Sequence, residues 1–233
     1  MEQYTNSIKE DAREILRELF EKYSIQGVIS IYLYGSIIGP DFNPTTSDID
    51  SIALCESEVS MEMEKGMLGF LAERAPHIHK FGIRICYIDE LEKLIEKSNL
   101  AYFIPPQALV LDFPYWEHVA GRVFSGEDFP RISHRDGIKA MQHVLEKWGW
   151  DDVGHVPKEK IQNYVKVLAR ILWNIDGAEG REYPFSYSVL AKRNDAYTDI
   201  ATAILNLKKY NWDEQMFTQY KPLFQGFVLE TCN

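Results

Sequence analysis

Apolar positions recur at helical spacing over residues 7–23, where Ile8, Ala12, Ile15, Leu16, Leu19 and Phe20 fall on one face. Ser7 with Glu10 fits a capping box, which predicts the helix start, and Gly27 predicts its stop. The period then changes. Val28-Ile29-Ser30-Ile31-Tyr32-Leu33-Tyr34 is a β-branched and aromatic run that predicts a strand. Gly35-Ser36 closes it, and a polar stretch from Gly39 to Ser47 leads to a second expected strand, about Asp48 to Cys55.

Met61, Met67, Leu68 and Leu71 predict a helix within 57–74. Gly82 to Ile88 predicts a third strand, and a short helix is expected near 89–97. This order gives an α+β unit around a small mixed sheet. From about residue 100 the strand signals fade. Helical spacing reappears over 133–148, 158–176, 186–193, 196–210 and 213–225, so an all-helical second part is expected, with domains at 1–128 and 129–233.

Composition changes this picture little. The chain has 233 residues, enough for two small cores, and 45% of them are apolar. No apolar run approaches the roughly 20 residues that span a bilayer, and Met1-Glu2-Gln3-Tyr4 does not open a secretory signal. Cys55, Cys86 and Cys232 are odd in number and lack metal-ligand spacing, so reduced thiols and a cytoplasmic location are expected. His77 and His79 stand two apart without a third ligand at metal spacing. Trp148, Trp150, Trp173 and Trp212 are expected in the core. The formal net charge of −10 argues against a nucleic-acid partner, which requires clustered Lys and Arg, and is compatible either with a cationic small substrate or with solubility alone.

Candidate chemistry concentrates in one place. Asp48 and Asp50 are two apart at a strand start, so their side chains share a face and offer oxygen ligands suited to Mg²⁺. Eleven residues separate Ser36 from Asp48, so a strand, a turn and a neighbouring strand can bring both to one edge. Gly35 lets the backbone approach a phosphate. Ser36 is expected to open a short helical turn whose N–H groups and hydroxyl bind the phosphates of a nucleoside triphosphate.

The stretch Tyr32-Leu33-Tyr34-Gly35-Ser36 through Pro44-Thr45-Thr46-Ser47-Asp48-Ile49-Asp50 resembles the signature of the polymerase-β-like nucleotidyltransferases. More narrowly, it resembles the aminoglycoside adenylyltransferases that modify streptomycin and spectinomycin. Thinner likenesses run through residues 117–126, similar to that family's link between domains, and residues 163–173, similar to its C-terminal helix. The resemblance implies a nucleotidyltransferase fold followed by a helical substrate-binding domain. It further implies Mg²⁺ on Asp48 and Asp50, and ATP (or another nucleoside triphosphate) held by Gly35, Ser36, Ser47, Arg84, Arg170 and Lys192. The partners implied are that nucleotide and a hydroxyl-bearing small molecule such as an aminoglycoside. The oligomeric state is left open.

The chain also departs from the pattern. Arg84 stands where the broader superfamily carries a third acid, and Gly82 stands where the aminoglycoside enzymes carry a glutamate base. Arg84 either contacts phosphate beside the two aspartates or faces solvent. Asp89 and Glu90 are the nearest acids that could act as base. Lys160 takes the place of a drug-contacting acid, with Glu159 adjacent, and Tyr187 that of a phosphate-binding lysine, with Lys192 a turn and a half later. Three functions follow: AMP transfer to a small molecule, transfer to a protein or RNA as in toxin–antitoxin relatives, or a nucleotide- or partner-binding module that has lost turnover.

Overall fold

The predicted strand around Ile31 forms as β1 (Val28–Tyr34) and lies inside a four-stranded sheet. The computed structural model describes residues 2–98, 100, 103–150, 156–181 and 186–231, so Cys232 and His155 fall outside the described residues. The chain divides into two compact units, Met1–Arg131 and Ile132–Asn233.

In the first unit, β1 pairs antiparallel with β2 (Ile49–Cys55), and β2 pairs parallel with β3 (Phe81–Tyr87). A fourth strand, β4 (Glu117–Gly121), pairs antiparallel with the other side of β1, giving the order β3-β2-β1-β4. The sheet is therefore mixed. β4 corrects the expectation that strands end near residue 100. It is five residues long, only partly buried and carries Glu117 and His118, so it lacks the apolar run that reveals a buried strand.

Helix α1 spans Glu2–Tyr23, beginning five residues before Ser7. The Ser7–Glu10 pair is therefore inside the helix rather than at its cap. No Pro or Gly precedes Ser7 to stop the helix. A 3₁₀ turn over Ser24–Gln26 follows, and Gly27, at φ 103°, closes it by donating its N–H to Ser24 O. Helix α2 (Met61–Arg74) starts at Ser60, whose hydroxyl accepts from Met63 N. Both helices cover one face of the sheet. Ile8, Ala12, Leu16 and Leu19 of α1 and Met63, Met67 and Leu71 of α2 share a core with Ile31, Leu33, Ala53, Ile83 and Ile85. Each buried Leu, Ile or Met side chain among them contributes roughly 1.5–3 kcal/mol.

The opposite face carries Tyr32, Ile52 and Arg84 in one row and Tyr34, Asp50 and Gly82 in the next, as the two registers dictate. An aromatic layer closes over the Tyr32 end. Its ring meets Phe113 at 5.3 Å, Trp116 at 6.0 Å and His118 at 5.3 Å, and its hydroxyl accepts from Phe124 N at 3.1 Å. The short helices α3 (Ile88–Lys93) and α4 (Pro106–Asp112) lie between β3 and β4 in sequence.

The second unit contains α5 (His134–Lys147), α6 (Lys158–Ala178), α7 (Tyr187–Leu190), α8 (Thr198–Lys209) and α9 (Glu214–Thr231). Its centre is α6, buried through Tyr164, Val165, Leu168, Leu172 and neighbours. Helix α9 runs beyond the expected 225, continuing past Pro222. Trp150 and Trp173 are buried, whereas Trp148 and Trp212 are partly exposed. No helix among the described residues is long and apolar enough to cross a membrane.

Candidate functional site

Gly35 follows the last residue of β1 and turns the chain at φ +75° into a 3₁₀ turn, Gly35–Ile38. The turn thus opens at Gly35, one residue before the expected Ser36. An L side chain in that left-handed region costs roughly 1–2 kcal/mol. A Cβ on Gly35 would sit 3.4 Å from Asp50 Oδ2, an ordinary contact. The positive φ is therefore what calls for glycine, and the turn it makes runs beside a carboxylate. Tyr34, opposite Asp50 in the β1–β2 register, brings that carboxylate to the turn.

Ser36 reaches the same place. Its hydroxyl donates to the backbone oxygen of Asp48 at 3.3 Å, so the two ends of the polar loop are tied directly. Within that loop, Ser47 N donates to Asn43 O at 2.8 Å, and Asn43 N donates to Ser47 Oγ at 3.0 Å. Ser47 therefore braces the turn that delivers Asp48, while its own hydroxyl proton stays available to a ligand. Gly35, Ser36, Ser47, Asp48 and Asp50 are brought together by the strands they flank.

Asp48 is matched by a residue the sequence did not disclose. Lys80 Nζ lies 2.6 Å from Asp48 Oδ2. With side chains 68% and 39% exposed, this pair is worth only about 0–1 kcal/mol. Its chemistry matters more than its strength, because it is easily exchanged. Trp116 was missed as well. Its ring lies 6.2 Å from that of Tyr34, at the edge of the aromatic layer.

Gly82 stands opposite Asp50 in the parallel register, and Arg84 stands opposite Ile52. Arg84 is exposed and stands one row beyond that of Asp50 on the same face. Asp89 and Glu90 do not supply the missing acid. They follow the far end of β3, about seven residues from Gly82 or roughly 20 Å along an extended chain. Both are also engaged. Lys97 Nζ lies 2.6 Å from Asp89 and, as the largest cause, holds its carboxyl below the usual range. Glu90 is fully buried and accepts from the backbone N–H groups of Tyr87, Lys97 and Ser98.

Arg170 and Lys192 belong to the second unit. Arg170 lies on α6, partly buried, with its backbone oxygen accepting from Asn174 Nδ2 at 2.9 Å. Lys192 follows α7 and is exposed, as are Glu159 and Lys160. The buried arginine of this unit is its neighbour Arg193, which meets Asp176 at 2.9 Å and Asp195 at 2.9 Å. Arg181 joins Asp176 at 2.7 Å and also pairs with Glu179. These contacts form a structural clasp between the end of α6 and the start of α8.

A metal would find two carboxylates here. Among the described residues, no group of three or more His, Cys, Asp and Glu side chains is placed to hold an ion. Asp48 and Asp50 nevertheless fit Mg²⁺, which takes one or two carboxylates and fills its shell with water and phosphate oxygens. His77 is exposed, 3.5 Å from Asp11 Oδ2, and His79 is exposed.

A mixed sheet with two helices on one face, followed by a helical region, is the α+β architecture of the nucleotidyltransferase fold. The chain is similar over 95% of its length to a solved spectinomycin adenyltransferase from Enterococcus faecialis, determined with ATP and spectinomycin. That similarity covers 96% of the other chain, at 13% identity and a TM-score of 0.53. No protein-family model matches the chain, and no curated protein matches it.

Proposed function

We propose that this chain is a nucleotidyltransferase that moves AMP from ATP to a hydroxyl of a small cationic molecule of the aminoglycoside class. The observation that carries the reading is the junction of Gly35, Ser36, Asp48 and Asp50. There a left-handed glycine lies against one carboxylate, and a serine is tied to the residue bearing the other. The similar structure's ATP and spectinomycin, together with this chain's charge of −10, support the choice of donor and acceptor.

In the reaction an acceptor hydroxyl releases its proton to solvent as its oxygen attacks the α-phosphorus, the bond from that phosphorus to the oxygen bridging to the β-phosphate breaks, and pyrophosphate leaves. Asp48 and Asp50 would hold Mg²⁺, which when bound neutralises phosphate charge and stabilises the leaving group. Gly35 and Ser36 bind the phosphates through their backbone N–H groups, the Ser36 hydroxyl ties the turn to Asp48, and Ser47 keeps the loop in shape. Arg84, on the same sheet face as Asp50, contributes a cationic contact to the nucleotide. Such catalysis is mostly positioning and electrostatics.

One observation favours a second reading. Gly82 faces Asp50 and offers no carboxylate to take the hydroxyl proton, as expected of a nucleotide-binding module that has lost turnover. Incubation with ATP, Mg²⁺ and a panel of aminoglycosides, with pyrophosphate measured, separates the two. Release that depends on one acceptor and is abolished by Asp48→Asn supports the enzyme. ATP binding without release on any acceptor supports the module.

A further inference from the structure

We propose that Lys80 is a displaceable counter-ion of the nucleotide site: it holds Asp48 in the empty protein and passes to the nucleotide's phosphates when the site fills. The inference rests on the nucleotide-binding reading above and adds a binding residue to it.

Three features of Lys80 support this role. Its backbone is fixed, because Ile49 N donates to Lys80 O at 2.8 Å and so continues the β2–β3 pairing to the residue after Asp48. Its side chain is not fixed beyond one contact, since it is 68% exposed and ends in the 2.6 Å pair with Asp48. The long stem can therefore swing from a rooted point. Its position is also patterned. Lys80 immediately precedes β3 and continues its pairing, two residues before Gly82 and four before Arg84, so this alternation sets it toward the sheet face that carries Asp50. On that face Lys80 and β3 present a cation, a glycine and a cation, with no acid.

An ammonium has three donors and no acceptor, so it cannot join a metal's ligand shell. It competes with a divalent cation for the Asp48 oxygens. Once a divalent cation takes that carboxylate, the ammonium is repelled and needs a new anion. A triphosphate bound at Gly35 and Ser36 is the nearest one the reaction supplies, and a flexible point charge suits phosphate oxygens. Lys80 would thus weaken binding of a bare divalent ion and strengthen binding of the nucleotide that carries it.

The test uses Lys80→Ala, Lys80→Arg and Asp48→Asn in the full chain. Mn²⁺ binding is read from the resonance of the free ion, and Mn²⁺-ATP and AMP binding by calorimetry. In Lys80→Ala, Mn²⁺ alone should bind about fivefold tighter. Mn²⁺-ATP should bind about tenfold weaker, and AMP should lose less than ATP. Lys80→Arg should keep ATP affinity close to the parent's. Unchanged Mn²⁺-ATP affinity in Lys80→Ala overturns the phosphate role, and unchanged Mn²⁺ affinity overturns the counter-ion role. If the parent binds ATP and Asp48→Asn does not, either failure concerns Lys80 alone. If the parent binds no ATP, the nucleotide site falls and the inference falls with it.

Discussion

Gly82 faces Asp50 across the parallel pair β2–β3, and a Cβ added to Gly82 meets no atom within 4 Å. The strand position nearest the site aspartate is therefore both empty of an acid and roomy enough to accept one. That relationship separates nucleotide binding, which the flanking residues support, from turnover, which needs a proton acceptor.

A carboxylate placed there should act on the site directly. Gly82→Glu is expected to tighten divalent binding about tenfold, by adding a third carboxylate to the two already there. It should also raise the rate of pyrophosphate release over the parent. Arg84→Asp, one row away opposite Ile52, should do neither to the same degree. Metal titration and a pyrophosphate assay on both variants check this, and a larger gain from Arg84→Asp would contradict the register argument.

Gly35→Ala should cost about 1–2 kcal/mol of folding stability, the strain of a side chain at φ +75°. Nucleotide affinity should fall as well, because the added methyl occupies space beside Asp50 Oδ2 where the phosphates approach. Urea unfolding and ATP titration on the same variant measure the two separately. Loss of stability with full ATP affinity would show that the turn does not contact phosphate.

The buried clasp in the second unit gives a stability prediction that does not involve the first. Arg193 and Asp176 are only 6% and 7% exposed, so Arg193→Ala leaves Asp176 with Arg181 alone. A loss of about 3 kcal/mol is expected, the low end for breaking a buried pair, because one partner remains. Chemical denaturation of the variant checks it. A change below about 0.5 kcal/mol would place the network among ordinary surface pairs.

The cap of α5 should make part of the stability pH-dependent. Ser133 and Asp136 exchange hydrogen bonds, and the Ser133 hydroxyl, then its backbone N–H, hold the Asp136 carboxyl below its usual range. A depressed folded value means that the contribution is complete above the ordinary carboxylate range. It is lost as pH falls through the folded value. Ser133→Ala should therefore cost about 1 kcal/mol at pH 7. The difference from the parent should shrink in strong acid to the pH-independent part left by the Ser133 hydroxyl accepting from Asp136 N. A constant difference across that range would contradict the assignment.

Parts of this structure were readable from residue order and parts were not, for physical reasons. β1 was legible because a β-branched and aromatic run between Gly27 and Gly35 has one plausible use. Its neighbour β4 was not, because a partly buried edge strand needs no apolar alternation and gains its pairing from a residue some ninety positions away. The start of α1 was misplaced by a capping pattern at Ser7 that the helix simply runs through. At the site, the approach of Ser36 to Asp48 follows from chain length and strand reversal, which spacing reveals. The contact of Lys80 with Asp48 depends on the parallel register of β2 and β3, which spacing does not reveal. Likewise, only that register separates Arg84 from Gly82 as the residue facing Asp50.

The most direct measurement is calorimetric titration of the full chain with a non-hydrolysable ATP analogue and Mg²⁺, compared with the double variant Asp48→Asn, Asp50→Asn. The expected result is one saturable site in the parent that the double variant loses, although removing two negative charges should by itself favour an anion. Equal or tighter binding by the double variant, or no binding by the parent, would contradict the nucleotide site at Gly35, Ser36, Asp48 and Asp50.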